Sequence, residues 1–258
     1  MPQGQTTLAL EAGVATIVFD RPHARNAMTW TMYEQLVAIA TRLRDDPGVR
    51  AVVCRGAGGK AFVAGTDIEQ FTEFGTGEDG LEYEHRIEGI MGVLESLPMP
   101  TVALVEAWAV GGGLAIASAC DFRIATTGSR FGAPIARTLG NCLSGRNVAR
   151  LCGAFGPARV KRMLMLAEFM DAAEALDCGY LYKVCEPAEL EQAAAELVSR
   201  LVSLAPITQR VSKEAIRRVG AQIRIDDEDL VRLTYSSADF REGVRAFVDK
   251  RKPVWTGR

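Results

Sequence analysis

Three consecutive glycines, Gly111, Gly112 and Gly113, stand between an apolar run at 101–105 and a stretch of small apolar residues at 114–120. The run has the length and β-branching of a buried strand, and the small residues suit a closely packed helix. A helix that starts on a tight glycine turn exposes unpaired N–H groups with partial positive charge. Glycine lets a ligand oxygen approach them without meeting a side chain. The chemistry this permits is the holding of a developing oxyanion. A plain packing turn is the second reading of the same residues. A dinucleotide loop is the third, but its G-x-G-x-x-G spacing is absent, because the third glycine is adjacent.

A second element of the same kind lies upstream, at AFVAGTDI (61–68). Asp67 can cap a short helix, which places the N–H groups of Gly65 and Thr66 near its start. Gly59-Lys60 is not a P-loop, since Cys54 and Ala61 stand where glycine and Ser or Thr are required. The Thr66 hydroxyl is a further polar group, or simply a small residue in a turn. His85 is the plausible neutral-pH base. Glu82, Glu84 and Arg86 around it read as a solvated helix face. Cys142 and Ser144 are possible nucleophiles without a partnered base nearby in the sequence. With histidines only at 23 and 85 and no C-x-x-C pair, no zinc pattern is present.

The elements that must position these groups follow from periodicity. Residues 8–11 and 14–19 read as a hairpin around Ala12-Gly13. Met32, Leu36, Ile39, Ala40 and Leu43 give a helix over about 32–45, with Thr31 and Glu34 as a capping box. A strand spans 49–54, a mobile Gly- and acid-rich loop 72–80, and a helix 81–97. Strands follow at 122–125 and 181–185, with a short extended piece at 129–131 and helices around 148–153, from Pro157, and from Asp171 to Cys178. The last third reads as helix over 187–204, 206–219 and most of 226–250. Alternating strands and helices predict an α/β fold with a βαβ-type sheet and a helical appendage.

Composition fits this. The chain has 258 residues, 48% hydrophobic and 24% charged, with a net charge of −2. That is a globular chain with no general attraction for nucleic acid or an anionic membrane. No apolar run has the length of a membrane span, and the N-terminus lacks the regions of a signal peptide. The six cysteines read as free thiols in a reducing compartment. A cytoplasmic location is expected.

Five blocks in fixed order carry a resemblance: RPHARNAM (21–28), AFVAGTDI (61–68), TVALVEAWAVGGGLAIASACDFRIA (101–125), SRFGAP (129–134) and REGVRAFVDKRKPVW (241–255). Together they resemble the enoyl-CoA hydratase/isomerase (crotonase) superfamily over about residues 6–255. The resemblance implies a ββα spiral core over 1–200 and a C-terminal helical region over 201–258 used in trimerisation, as a trimer or dimer of trimers. It implies an acyl-CoA thioester as substrate, with coenzyme A part of that substrate and no other cofactor. The thioester oxygen would be held by the backbone N–H groups of Thr66 and Gly112. Ala64, Gly65, Asp67 and Ile68 would border the adenine and pantetheine, and Arg25 would approach the CoA phosphates. Phe247 and Lys250 would reach the adenine end from a neighbouring subunit, unless Lys250 belongs to a solvated helix face.

The sequence departs from the family where its hydratases carry two glutamates. Ala115 stands at one position and Ile135 at the other. Hydration needs an activated water and a delivered proton, and neither side chain supplies them. Isomerisation, decarboxylation or C–C cleavage is therefore expected in place of hydration. Arg137, two residues after Ile135, could hold a carboxylate on the acyl group, or lie at the surface. A non-catalytic acyl-CoA-binding or scaffolding homologue is the alternative. A hydrolase built on Ser144 or Cys142 is a third and weaker reading.

Overall fold

The computed structural model describes residues 4–222 and 225–258, and residues 1–3 of the N-terminal stretch lie outside it. The hairpin forms as expected from β1 (Gln5–Glu11) and β2 (Val14–Asp20). It turns on Ala12 and Gly13, at φ 48° and 78°. The chain then runs through α1 (Trp30–Arg44), β3 (Ala51–Gly56), α2 (Gly77–Glu95), β4 (Thr101–Val105), β5 (Trp108–Val110) and α3 (Gly112–Ala119). Next come β6 (Phe122–Thr126), β7 (Arg130–Gly132), α4 (Ile135–Thr138), α5 (Gly145–Phe155), α6 (Pro157–Met165), β8 (Met170–Asp171), α7 (Ala172–Asp177) and β9 (Lys183–Cys185). Four helices finish the fold: α8 (Leu190–Ser203), α9 (Pro206–Ala221), α10 (Glu228–Tyr235) and α11 (Ala238–Val248).

The main sheet has the order β1-β2-β3-β4-β6-β9, parallel throughout except for the β1–β2 hairpin. All five residues of β4 are buried, as a parallel strand covered on both faces requires. A second sheet, β5-β7-β8, carries the chain from β4 into α3. The largest core lies between the sheets and α1, α2 and α3, and α8 packs on the other face of the main sheet. A third, aromatic core joins α2 to α10 and α11 through Phe71, Leu81, Tyr235 and Phe240.

Two expectations are corrected. Thr29, and not Thr31, caps α1: its hydroxyl accepts from the Met32 N–H at 3.3 Å, and Trp30 already opens the helix. The segment at 72–80 is also not all loop, because α2 starts at Gly77. The Asp79 carboxylate accepts from the N–H groups of Gly75 (2.9 Å) and Thr76 (2.8 Å), which closes the helix start.

Candidate active site

The RPHARNAM block is a scaffold for the segment that follows β3. Arg25 and Asn26 adopt left-handed conformations, φ 51° and 58°, which turn the chain back sharply. Asn26 is fully buried. Its amide donates to the carbonyls of Ala57 (2.9 Å) and Ala61 (2.8 Å) and accepts from the Arg21 N–H (2.9 Å). The backbone then runs beside residues 64–67: Ala64 N–H donates to Arg25 (3.0 Å), Met28 N–H to Gly65 (2.8 Å) and Asp67 N–H to Met28 (2.8 Å). In this parallel bridge Gly65 and Asp67 carry the bonds, so the N–H of Thr66 itself faces the other way. Asp67 caps the 3-10 turn Ile68–Phe71, as expected, and pairs with Arg21 at 2.6 Å.

β5 and α3 lie on that other side. Val63 N–H donates to Trp108 (3.2 Å) and Val110 N–H donates back to Val63 (3.0 Å). A Cβ on Gly113 would fall inside 3.0 Å of the Val63 carbonyl, so α3 starts in direct contact with this segment. A Cβ on Gly112 would lie 3.6 Å from the Thr66 nitrogen, and one on Gly111 would lie 3.8 Å from Gly65 Cα. Gly112 is the first residue of α3, and its N–H has no carbonyl one turn back to bond. Thr66, in the segment bridged to Met28, and Gly112, at the start of α3, are thus brought side by side.

A chain of hydroxyls borders these amides. Thr66 Oγ1 is 2.9 Å from the phenol oxygen of Tyr33 and 2.9 Å from that of Tyr83. Tyr33 comes from α1 and is fully buried, and its Oη sits inside 3.0 Å of where a Gly112 Cβ would be. Tyr83 comes from α2 and is half-buried. Trp30 packs on both rings, at 5.8 and 5.7 Å, and Phe71 packs on Tyr83 at 4.8 Å. Burial pushes the Tyr33 phenol up to about 12 and that of Tyr83 well above its usual value. Both are neutral donors at physiological pH, and neither is a base there.

The other expected acid–base residue, His85, is exposed on α2. Its neighbour Glu84, grouped above with a solvated face, is in fact only 3% exposed. Tyr235 O–H donates to Glu84 Oε1 (2.8 Å) and Ser144 N–H to Oε2 (2.9 Å). Burial raises this carboxyl to about 7. Ser144 caps α5 through the Asn147 N–H and donates to Glu88 at 2.9 Å. Burial pushes the Cys142 thiol up to about 12, which removes it as a ready nucleophile. Ala115 is half-buried on α3, one turn beyond Gly112, and Ile135 opens α4. Arg137 is exposed, its guanidinium 5.7 Å from the Phe169 ring. Among the CoA-site residues, Ala64 and Ile68 are half-buried, Gly65 is buried, and Arg25 is exposed. Phe247 and Lys250 are exposed at the end of α11. Among the described residues no cluster of three His, Cys, Asp or Glu is placed to hold a metal ion.

The order of these elements can be set beside known proteins. Residues 9–258 match the enoyl-CoA hydratase/isomerase family. The chain belongs to this family. Its enzymes use CoA-thioester substrates without a separate cofactor. The chain is 35% identical to a short-chain-enoyl-CoA hydratase of Clostridium acetobutylicum, covering 98% of this chain and 97% of that one. It is 32% identical to a crotonyl-CoA hydratase of Syntrophomonas wolfei, covering 95% of each. A solved methylmalonyl-CoA decarboxylase complexed with 2S-carboxypropyl-CoA superposes with a TM-score of 0.90 over the whole of both chains, at 27% identity. The family's α/β core with its C-terminal helical region is therefore the fold of this chain.

Tyr33 and Tyr83 are absent from the sequence-based candidates, and Glu84 stands there only as part of a solvated face. Glu84 carried a signal, because it falls on the apolar stripe Leu81, Ile87, Ile90 and Leu94 at helical spacing. A carboxyl on a buried stripe needs partners, and here Tyr235 and Ser144 supply them.

Proposed function

We propose that this enzyme binds an acyl-CoA thioester and holds its oxygen, as an enolate, between the backbone N–H groups of Thr66 and Gly112. The observation that carries the reading is the 3.6 Å approach of the Gly112 side-chain position to the Thr66 nitrogen, at a helix start lined by glycine. Donors fixed in advance by β5, α3 and the Met28 bridge need no reorganisation as charge develops. Coenzyme A would lie along Ala64, Gly65, Asp67 and Ile68, with Arg25 at its phosphates. Phe247 and Lys250 would serve the adenine end of a neighbouring site in a trimer or dimer of trimers. The exposed Ile207, Val211, Ile216 and Val219 of α9 support such an assembly.

Ordinary hydration is disfavoured. Ala115 and Ile135 offer no carboxylate, and the groups beside the two amides are neutral hydroxyls. The likeness to a methylmalonyl-CoA decarboxylase supports decarboxylation or related C–C cleavage among the remaining chemistries. The test uses purified protein with crotonyl-CoA, following the conjugated thioester absorbance. Little or no loss is expected, and fast hydration would refute the reading. Binding of CoA thioesters by calorimetry without turnover of enoyl, malonyl or 3-hydroxyacyl compounds would mark a scaffolding homologue. Failure to bind any of them would remove both readings.

A further inference from the structure

Tyr33, Thr66 and Tyr83 bring one O–H proton each, and two hydrogen bonds join their oxygens. Among the described residues these hydroxyls bond to nothing else. One proton of the chain is therefore always left over. If Thr66 accepts from both phenols, the spare proton is its own. If it donates to one phenol, that phenol's proton is free. The spare donor is then the hydroxyl of Thr66, that of Tyr33, whose Oη packs against Gly112, or that of Tyr83, which is hydrogen-bonded to Thr66.

The nearby charged groups are engaged. Asp67 is tied to Arg21 at 2.6 Å, and Glu84 is held by Tyr235 and Ser144. Ala115 and Ile135 bring no polar atom, and His85 faces solvent. Among the described residues the site thus holds a proton to give and no free base to take one. An isomerase must remove a proton from carbon, which this set of groups does not favour. An enolate can also arise by breaking a carbon–carbon bond, and it then needs only a donor.

We propose that the Tyr33–Thr66–Tyr83 hydroxyl chain is the proton donor to an enolate formed by C–C cleavage, and that the substrate is an acyl-CoA of the malonyl class, with a carboxylate on the α-carbon. This rests on the enolate reading above. The bond from the α-carbon to the carboxylate breaks, carbon dioxide leaves, and the electron pair becomes the enolate on the thioester oxygen. The α-carbon then takes the spare proton, forming C–H as O–H breaks. The oxyanion left on the chain takes a proton from water.

The test runs the full-length protein with methylmalonyl-CoA in D2O and reads carbon dioxide release and the configuration of deuterium at the α-carbon of propionyl-CoA. Wild type is expected to place one deuteron in a single configuration. Any one of these hydroxyls left alone still carries a free proton, so the variant is the triple Tyr33→Phe/Thr66→Val/Tyr83→Phe, which keeps the backbone N–H of residue 66 and removes all three hydroxyls. It should lower kcat by about 10²-fold or more, the contribution of a positioned general acid, and give mixed configuration. Its Kd for propionyl-CoA should stay within about twofold, since both backbone amides are kept. Thr66→Ser, which keeps three hydroxyls, should retain most of the rate and the single configuration. If the triple variant does not fold, Tyr33→Phe/Thr66→Val, which leaves only the Tyr83 hydroxyl and cuts its link to Gly112, makes the same test. Rate and configuration unchanged in the triple variant, or in the double variant where the triple does not fold, would overturn the donor role. A wild type that binds propionyl-CoA and releases no carbon dioxide would overturn the substrate class but leave the enolate reading standing. A wild type that binds no acyl-CoA would sink both.

Discussion

Replacing Gly112 by alanine sets two effects of opposite sign against each other. Gly112 is helical, so alanine at a helix-interior position would gain up to about 1 kcal/mol, and less at the first residue. The new Cβ would meet Tyr33 Oη inside 3.0 Å and Thr66 Oγ1 at 3.1 Å. Tyr33 is fully buried and wedged by Trp30, so its ring cannot swing aside. Overpacking of this kind costs about 1–3 kcal/mol, which exceeds the helical gain. Gly112→Ala should therefore destabilise. Tyr33→Phe moves the obstacle back by one bond length and gives up one hydrogen bond, at about 1 kcal/mol. In the Tyr33→Phe background Gly112→Ala should be nearly neutral, so the two changes should couple by at least about 1 kcal/mol. Urea denaturation of the four proteins at one protomer concentration reads this directly. Additivity within about 0.5 kcal/mol would show that Tyr33 does not press on Gly112. Binding separates stability from function. The alanine methyl still occupies the approach to the Gly112 amide, so acetoacetyl-CoA affinity should stay low in the double variant even where stability returns.

Other variants test the supports of the site. Glu84, raised from its ordinary 4.5 to about 7, holds its proton more tightly in the folded than in the unfolded protein. Stability should therefore fall as pH rises from 4.5 to 7, by on the order of 3 kcal/mol, and level off above. Glu84→Gln should flatten that window, and a wild-type-to-variant difference that is constant from pH 5 to 8 would refute it. Asn26→Ala removes three hydrogen bonds of a buried side chain and leaves the Ala57 and Ala61 carbonyls without its amide. It should cost about 3 kcal/mol and weaken acyl-CoA binding by loosening the ladder to Thr66; thermal unfolding and calorimetry check the two parts. Gly113→Ala drives a carbon into the backbone of Val63, which cannot rotate away, so it should cost at least about 3 kcal/mol or prevent folding. Recovery of soluble protein with an unchanged denaturation midpoint would contradict that contact.

The hairpin, β4 and the glycine-led α3 were legible because each is fixed by residues adjacent in sequence. The hydroxyl chain was not. Tyr33 and Tyr83 sit on helices 50 positions apart, and only the packing of α1 against α2 brings both to Thr66. The start of α2 was hidden for a related reason. Gly75, Gly77 and Gly80 argue locally against helix, yet a Cβ on Gly80 would enter the Tyr235 ring and one on Gly77 would meet Arg232 of α10. Those glycines are set by a helix some 150 residues away, and propensity within one window cannot register that.

The glycine run shows the same limit inside a single motif. Gly111 has φ 51°, so it serves the turn. Gly113 lies where a side chain would strike the Val63 carbonyl, so it serves close packing. Gly112 has ordinary helical backbone and borders the Thr66 amide and the Tyr33 hydroxyl, so it leaves room beside the proposed oxyanion donors. Turn and packing, read in the sequence as rivals to a ligand-holding role, are each met by a different glycine of the run. They do not compete with the proposed function, since they set the position of the residue between them. A substitution at any one of the three would therefore disturb the site by a different physical route. At Gly111 it is backbone strain, at Gly113 a clash with fixed backbone, and at Gly112 a clash that Tyr33→Phe can relieve.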